Sequence, residues 1–178
     1  MNPIRTDRLT LEQQVVAHAQ EMYLVLSDPA IYEYENEPPA SVEWLRERFR
    51  RLESRCSPDG GELWLNWVVR LPSSGLIGYV QATVKPNATA AIAYELTSKY
   101  WGQGFATEAV RAMIQELVVR YHVTGLSAVL KKTNRRSFRL LERIGFSLAS
   151  EQRQAKARVE PDELLMLREA QVSAASAP

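Results

Sequence analysis

Apolar and polar residues follow two different periods along this chain. Strict alternation, which is typical of a strand with one buried face, begins at residues 9–13. Alternation, or a short apolar run between turn residues, predicts further strands along the chain. These strands lie at residues 63–70, 76–85, 90–97, 126–130, 146–152 and 163–167. The first three of them are joined by tight turns, which predicts an antiparallel meander.

Four other segments place apolar residues at helical spacing. They are residues 15–27, 41 to about 56, 105 to about 121, and a segment that Thr133 or Asn134 caps and Gly145 ends. The element order is strand, two helices, the meander, helix, strand, helix and two strands. This order predicts an α/β fold in which helices cover a mixed sheet.

Composition is that of an ordinary globular protein, with 46% hydrophobic and 24% charged residues among 178. The length favours one domain, which we place at residues 1–169, followed by a frayed tail at 170–178.

The helix that begins at Ser41 carries five arginines, but glutamates are interleaved among them. We therefore interpret it as a solvated face rather than a nucleic-acid patch.

Net charge, hydropathy and cysteine content exclude several classes of protein. A net charge of +1 removes the main electrostatic argument for binding nucleic acid or an anionic membrane, so neither is an expected partner. The longest uncharged stretch, residues 71–84, is shorter than the ~20 residues that span a bilayer. No apolar run follows the charged N-terminus, so a secretory signal is not expected. Cys56 alone permits no internal disulfide and no cysteine zinc site. We expect a cytoplasmic protein without a metal.

The segment of the chain that indicates chemistry is residues 94–109. A strand ends, the chain turns through Gly102 and Gly104, and a strongly amphipathic helix begins. Unpaired N–H groups at a helix start, with the helix dipole behind them, suit a phosphate or a pyrophosphate. An ordinary strand-to-helix turn is the alternative. The dinucleotide fingerprint does not fit, because Thr107 stands where its third glycine is required, and no Gly-Lys-Ser/Thr sequence follows.

At these residues the sequence resembles the GNAT superfamily of N-acetyltransferases, and most closely its branch that acetylates the N-termini of ribosomal proteins. Residues 101–109 reproduce the branch's run of aromatic-Gly-x-Gly-aromatic-Ala-Thr-Glu-Ala without a break. Trp101 departs from the Gln/Arg that opens the wider superfamily's acyl-CoA signature. A second block of the family is matched by Asn134, Ser137, Gly145 and Phe146. The resemblance covers roughly residues 5–168.

The resemblance implies a fold, a reaction and a cofactor. The fold is a twisted, mostly antiparallel sheet of about seven strands flanked by about four helices. The reaction is transfer of the acetyl group of acetyl-CoA to a primary amine, on a protein N-terminus or a small molecule, by direct attack in a ternary complex. The protein is expected to be a monomer or a homodimer. A non-catalytic acyl-CoA-binding or sensing module is the alternative, because Leu141 stands where many members carry a tyrosine acid.

The resemblance also assigns positions to the cofactor. Backbone groups of the strand before the loop would pair with the pantetheine arm, the loop amides would hold the pyrophosphate, and an asparagine would bind the pantetheine end. The cofactor-binding residues implied are Tyr94, Glu95, Leu96, Gly102, Gln103, Gly104, Phe105, Ala106, Thr107 and Asn134. Glu108 is interpreted as a first-turn residue that the helix dipole favours, rather than as a catalytic one.

Two side chains are candidates for catalysis. Glu95 is an isolated carboxylate in a mostly apolar strand beside the expected thioester, so it is a candidate base. An exposed or salt-bridged strand residue is an equal alternative. Ser137 is the candidate acid for the thiolate, in place of the absent tyrosine, or else a hydroxyl of the helix cap. A backbone N–H near Leu96 would stabilise the oxyanion. His18 and His122 are weaker candidates.

The acceptor groove is the part of the site that the sequence specifies least. The resemblance places it at residues 28–45 and 153–163. Glu33, Glu35 and Glu37 fall in the first of these segments and could attract a cationic amine, or they could be ordinary loop acids in water.

Overall fold

An eight-stranded sheet runs through the structure, a computed structural model that describes residues 1–34 and 37–170. Its strand order is β1-β2-β3-β4-β5-β6-β8-β7, and every neighbouring pair is antiparallel except β5 and β6. The strands are β1 Ile4–Arg5, β2 Thr10–Gln13, β3 Leu63–Leu71, β4 Gly75–Val84, β5 Thr89–Leu96, β6 Gly125–Lys131, β7 Ser147–Leu148 and β8 Glu163–Glu169.

The described residues include five α-helices, and polar side chains begin three of them. The helices are α1 Ala19–Val25, α2 Val42–Leu52, α3 Phe105–Tyr121, α4 Arg135–Arg143 and α5 Glu151–Lys156. Ser41, Asn134 and Ser150 each accept a hydrogen bond from an amide in the first turn of the helix that follows. Such a bond satisfies a donor that has no partner within the helix.

The core is divided by the sheet into two layers, because successive side chains of a strand point to opposite faces. Trp67 of β3 is fully buried in the larger layer, together with Met113 and Leu117 of α3. Its neighbour Val68 points to the smaller layer and packs with α1 and α2, where Phe49 is buried. No helix of the described residues is long and apolar enough to cross a membrane.

Strands β5 and β6 separate soon after they begin to pair. Their parallel pairing extends only over residues 89–91 and 125–127. Beyond Ala91 strand β5 continues to Leu96, and β6 continues to Lys131, without further pairing between them. The backbone of residues 92–96 therefore has one side on which no described strand is paired, and the sheet has an opening at this point.

Much of the sequence-based prediction is confirmed. The α/β class is correct, the meander forms as expected, α3 occupies the predicted residues, and Gly145 has a φ of 92° at the end of α4. The sheet has eight strands rather than about seven because β1 also pairs. The single domain at residues 1–169 stays a prediction, and residues 171–178 of the expected tail lie outside the described residues.

Three predicted elements have different bounds. The strand expected at residues 146–152 is extended only at Ser147–Leu148, because the Ser150 side chain caps α5. The helix expected to reach about Cys56 ends at Leu52, and Cys56 forms a β-bridge with Leu63. The helix expected over residues 15–27 starts as a 3-10 turn and ends at Val25.

Gly78 of β4 allows the close approach of strand β5 at the end of the sheet opening. It lies opposite Leu96, and a Cβ atom at this position would stand 2.1 Å from the carbonyl oxygen of Glu95 and 2.7 Å from the Leu96 Cα. Both neighbours are backbone atoms, so neither can move without displacing the strand. Only glycine fits here.

We expect Gly78→Ala to destabilise the protein by about 1–3 kcal/mol, since overpacking of this kind forces the backbone to shift. Thermal unfolding measures the effect, and each kcal/mol corresponds to roughly 2–4 °C at this size. Gly125→Ala is the matched control, because a Cβ there meets only the Thr89 methyl carbon at 3.5 Å. Equal melting temperatures for the two variants would contradict this account of Gly78.

Candidate active site

A cleft of about 460 Å³ lies at the opening between β5 and β6. Four parts of the chain form its walls: the end of β5, the loop before α3, the first turns of α4, and the segment after α1. Most of the residues that the sequence predicted for the site line this one cleft. They are Tyr94, Glu95, Leu96, Gly102, Gly104, Ala106, Thr107, Asn134 and Ser137.

Two predicted cofactor residues, Gln103 and Phe105, have side chains directed elsewhere. The Gln103 side chain donates a hydrogen bond to the Lys99 carbonyl at 3.0 Å. Phe105 is buried and packs edge-to-face on Tyr100, with ring centres 6.0 Å apart. Their contribution to a ligand is therefore confined to backbone groups.

The loop before α3 presents a row of amides that have no acceptor. Within the described residues, none of the backbone N–H groups from 102 to 107 donates a hydrogen bond, and the first helical bond runs from the Glu108 amide to the Gly104 carbonyl at 3.0 Å. Gly102 and Gly104 have φ angles of 74° and 83°, a conformation that favours glycine. Free amides at the positive end of a helix dipole fit a diphosphate.

Arg8, in the N-terminal segment, holds this loop in place. The Arg8 guanidinium lies 2.6 Å from the Glu108 carboxylate, donates to the Gln103 carbonyl at 3.0 Å, and stacks 4.4 Å from the centre of the Phe105 ring. Burial alone would raise the pKa of Glu108, but hydrogen bonds from Thr6 and Arg8 lower it overall. Glu108 is thus an ionised anchor, in keeping with its interpretation as a non-catalytic residue.

Glu95 lies within a group of tyrosines on the side of β5 that faces α1 and α2. The Tyr79 hydroxyl donates to the Glu95 carboxylate at 3.1 Å. Burial, together with the charge of Glu95, raises the pKa of Tyr79 and raises the pKa of Tyr32 to about 12. Both phenols therefore stay protonated at neutral pH, and Tyr79 remains a donor to the carboxylate.

On the opposite side of the same strand, Tyr94 reaches α4. Its hydroxyl oxygen lies 2.8 Å from the Ser137 hydroxyl oxygen, and burial raises the pKa of Tyr94 to about 12. The Ser137 amide donates to the Asn134 side-chain oxygen at 3.0 Å, which leaves the Asn134 side-chain nitrogen as a donor for a ligand. Leu141 is buried in the core. The sequence assigned only the backbone of Tyr94 to the site, because the contact between β5 and α4 is not local.

Trp101 and Arg136 connect three walls of the cleft. The Trp101 indole N–H donates to the Leu96 carbonyl at 2.8 Å, so this departure from the family signature holds the end of β5. The Arg136 guanidinium lies 3.9 Å from the centre of the Trp101 ring and 2.8 Å from the Glu33 carboxylate. Glu33 is thus held in an exposed ion pair, Glu37 is exposed, and Glu35 lies outside the described residues.

Asp28 fixes the segment after α1 to the end of β5. Its carboxylate accepts hydrogen bonds from the Thr97 hydroxyl at 2.8 Å and from the Ser98 and Ala30 amides at 2.6 and 3.0 Å. Although burial opposes the charge, these donors lower the pKa of Asp28 to about 2. The sequence showed only a helix stop at Asp28-Pro29, since its partners lie about seventy residues away.

Neither histidine belongs to the cleft. The His18 imidazole lies 3.3 Å from the Glu12 carboxylate and accepts a bond from the Val15 amide. Burial lowers the pKa of His18. His122 caps the end of α3, with a φ of 52°. In the part of the chain that the structure describes, no three His, Cys, Asp or Glu side chains cluster as metal ligands would.

The chain belongs to the acetyltransferase (GNAT) domain family, whose model matches residues 8–147. The resemblance stated from residues 101–109 and the asparagine block is therefore confirmed. The protein is an N-acetyltransferase that uses acetyl-CoA. A similar sequence is the uncharacterized N-acetyltransferase p20 of Bacillus licheniformis, 27% identical over 149 residues, which are 82% of this chain and 83% of that protein.

Solved structures share the fold. The RimL ribosomal L7/L12 alpha-N-protein acetyltransferase, in complex with coenzyme A, has a TM-score of 0.78 at 18% identity and covers 94% of this chain and 98% of its own. The ribosomal-protein-S5-alanine acetyltransferase from Vibrio fischeri has a TM-score of 0.79 at 15% identity, with 97% and 98% covered. These likenesses confirm the predicted fold.

We expect Gly104→Val to weaken acetyl-CoA binding by about tenfold or more, because a β-branched residue resists a positive φ and displaces the amides of the loop. Isothermal titration measures the affinity. Gly60→Val is the matched control: Gly60 also has a positive φ of 71°, but it lies in a turn outside the cleft. The placement of the loop would be wrong if both variants bound acetyl-CoA equally well.

Proposed function

We propose that this protein transfers the acetyl group of acetyl-CoA to a primary amine by direct attack in a ternary complex at the β5–β6 opening. One observation supports the proposal above all others. The unsatisfied amides of residues 102–107, the unpaired side of β5 and the Glu95 carboxylate lie along a single cleft. When bound, acetyl-CoA supplies the thioester that donates the acetyl group.

The cofactor-binding residues of the proposal use backbone groups for most of their contacts. Amides of residues 102–107 hold the diphosphate. Strand β5 offers backbone groups of Tyr94 and the Leu96 N–H on its unpaired side, whereas those of Glu95 face β4. The Asn134 side-chain nitrogen adds a donor next to them. Because these contacts involve the main chain, the side chains of Gln103 and Phe105 need not face the ligand.

Glu95 is the proposed base. An α-amine has a pKa of about 8 and is mostly protonated at neutral pH, so it must lose a proton before it can attack. Glu95 accepts that proton, directly or through a water molecule, at the end of the strand that borders the cleft. The hydrogen bond from Tyr79 orients the carboxylate for this task.

The leaving group is stabilised by hydroxyl groups on the other side of the strand. When the new C–N bond forms and the C–S bond breaks, negative charge moves from the carbonyl oxygen to sulfur. A backbone N–H near Leu96 stabilises the first charge. Ser137 is the proposed acid: it gives its proton to the sulfur and takes in exchange the proton that the nitrogen loses when the amide forms. Tyr94, whose hydroxyl oxygen lies 2.8 Å from that of Ser137, donates to the Ser137 oxygen in this arrangement.

The acceptor is a primary amine of a protein N-terminus or of a small molecule. The structural likeness to acetyltransferases named for ribosomal proteins makes a protein α-amine the first class to test. Release of free coenzyme A with any amine would exclude the non-catalytic alternative. A cytoplasmic monomer or homodimer completes the proposal.

We expect Glu95→Gln to lower kcat by about a hundredfold or more near neutral pH, the usual contribution of a general base. The deficit should shrink as the pH approaches the acceptor amine's own pKa of about 8, because the amine then arrives already neutral. A coenzyme A release assay across pH measures this, with Glu142→Gln on the exposed face of α4 as control. A deficit that is constant with pH would remove Glu95 as the base.

We expect Ser137→Ala and Tyr94→Phe each to lower kcat by about tenfold, which corresponds to the loss of one hydrogen bond of about 1.4 kcal/mol in the transition state. Because Tyr94 acts through Ser137, the kcat of the double variant should be close to the kcat of the less active single variant. The dissociation constant of acetyl-CoA should change little. Strictly multiplicative effects would show that the hydroxyls act independently.

A further inference from the structure

A second cleft, of about 720 Å³, lies where α2 ends against strands β3 and β4. Two arginines of α2 form one wall, and polar side chains of the sheet form its floor. These residues are Arg48, Arg51, Trp64, Asn66, Gln81 and Thr83. No acidic side chain is among the described residues that line it. The surface is therefore suited to an anionic group.

The register of the sheet places this floor on the same face as Glu95. Tyr79 lies opposite Glu95, Gln81 opposite Ala93, and Thr83 opposite Ala91. Since residues directly opposite in an antiparallel pair share a face, and alternate residues repeat it, these positions all lie on one face of the sheet. Ala91 and Ala93 are exposed, so the surface is open along β5. Four residues of strand separate Glu95 from Ala91, a distance of about 13 Å.

The two arginines of the second cleft differ from others on the same helix. Arg46 and Arg50 form ion pairs with Glu43 and Glu47, as expected of a solvated face. Among the described residues, no carboxylate forms an ion pair with Arg48 or Arg51. Arg48 contacts the Trp44 ring, 5.7 Å from its centre, and its charge favours the ionised form of Tyr79 next to Glu95. Positive charge without a partner thus extends from the second cleft toward the acceptor side of the active site.

We propose that the second cleft binds an acidic segment of the acceptor, an extended peptide whose α-amine lies at Glu95. Acidic side chains at the third to fifth positions of the peptide contact Arg48 and Arg51. An extended peptide advances about 3.3 Å per residue, as the strand below it does. Gln81 offers hydrogen bonds to its backbone, and Trp64 offers an apolar surface in the floor of the cleft. This proposal rests on the proposed function and specifies the class of acceptor.

The test compares kcat/KM for hexapeptides that begin Ser-Ala and carry glutamate, alanine or lysine at the third to fifth positions. We expect the acidic peptide to exceed the lysine peptide by about tenfold, a modest preference because the arginines are exposed. The preference should fall as salt is raised. The double variant Arg48→Gln/Arg51→Gln should lose it, whereas Arg50→Gln, on the same helix but outside the cleft, should retain it.

Controls separate this proposal from the reaction itself. The double variant should melt at the wild-type temperature and should acetylate a small amine without a carboxylate at the wild-type rate. Equal use of the three peptides, a preference for lysine, or a preference that survives in the double variant would overturn the acidic-segment proposal. Acetylation of small amines but of none of the peptides would also overturn the acidic-segment proposal. In all these cases the proposed acetyl transfer itself would be retained. Protein that binds acetyl-CoA but acetylates no amine would overturn the proposed function as well.

Discussion

The site depends on the incomplete pairing of β5 with β6. Backbone N–H and C=O groups inside a sheet require partners, and a strand that loses its neighbour leaves one row of them unused. Here the parallel pairing stops after Ala91, while the antiparallel pairing of β5 with β4 continues to Leu96. Strand β5 is therefore rigidly held on one side and open on the other, which is the combination that an extended ligand needs in order to add to the sheet.

Successive side chains of β5 point to opposite sides of the sheet, so the candidate catalytic contacts lie on both sides of this strand. Tyr94 and Glu95 are consecutive residues, yet one contacts Ser137 on α4 and the other contacts Tyr79 on the face of α1 and α2. In the proposed mechanism, adjacent positions of β5 thus supply the base and the hydroxyl that positions Ser137, on opposite sides of the strand. The close approach of β4 at Gly78 fixes both side chains, because it fixes the backbone from which they project.

Local pattern was sufficient to predict the glycine turn and the start of α3. From the pattern alone the loop was either an anion cradle or an ordinary turn, and the folded loop has amides without acceptors. The same holds for the caps at Ser41 and Asn134. These features depend on residues a few positions apart, which is the range over which a sequence pattern carries direct structural information.

Contacts between distant residues were not predictable from the same patterns. Asp28 appeared as a helix stop, and its bonds to Thr97 and Ser98 depend on the folded sheet. The arginines of α2 looked alike in sequence, yet Arg48 lines a cleft and Arg50 pairs with Glu47. At the C-terminal side, a short helix that Ser150 caps occupies part of a predicted strand.

The contacts of Arg8 connect the cleft to the N-terminal segment of the chain. Arg8 joins the segment between β1 and β2 to the loop whose amides would receive the diphosphate, through Glu108 and the Gln103 carbonyl. Arg8 itself is not among the residues that line the cleft. The segment between β1 and β2 therefore helps to fix the position of these amides without facing the ligand.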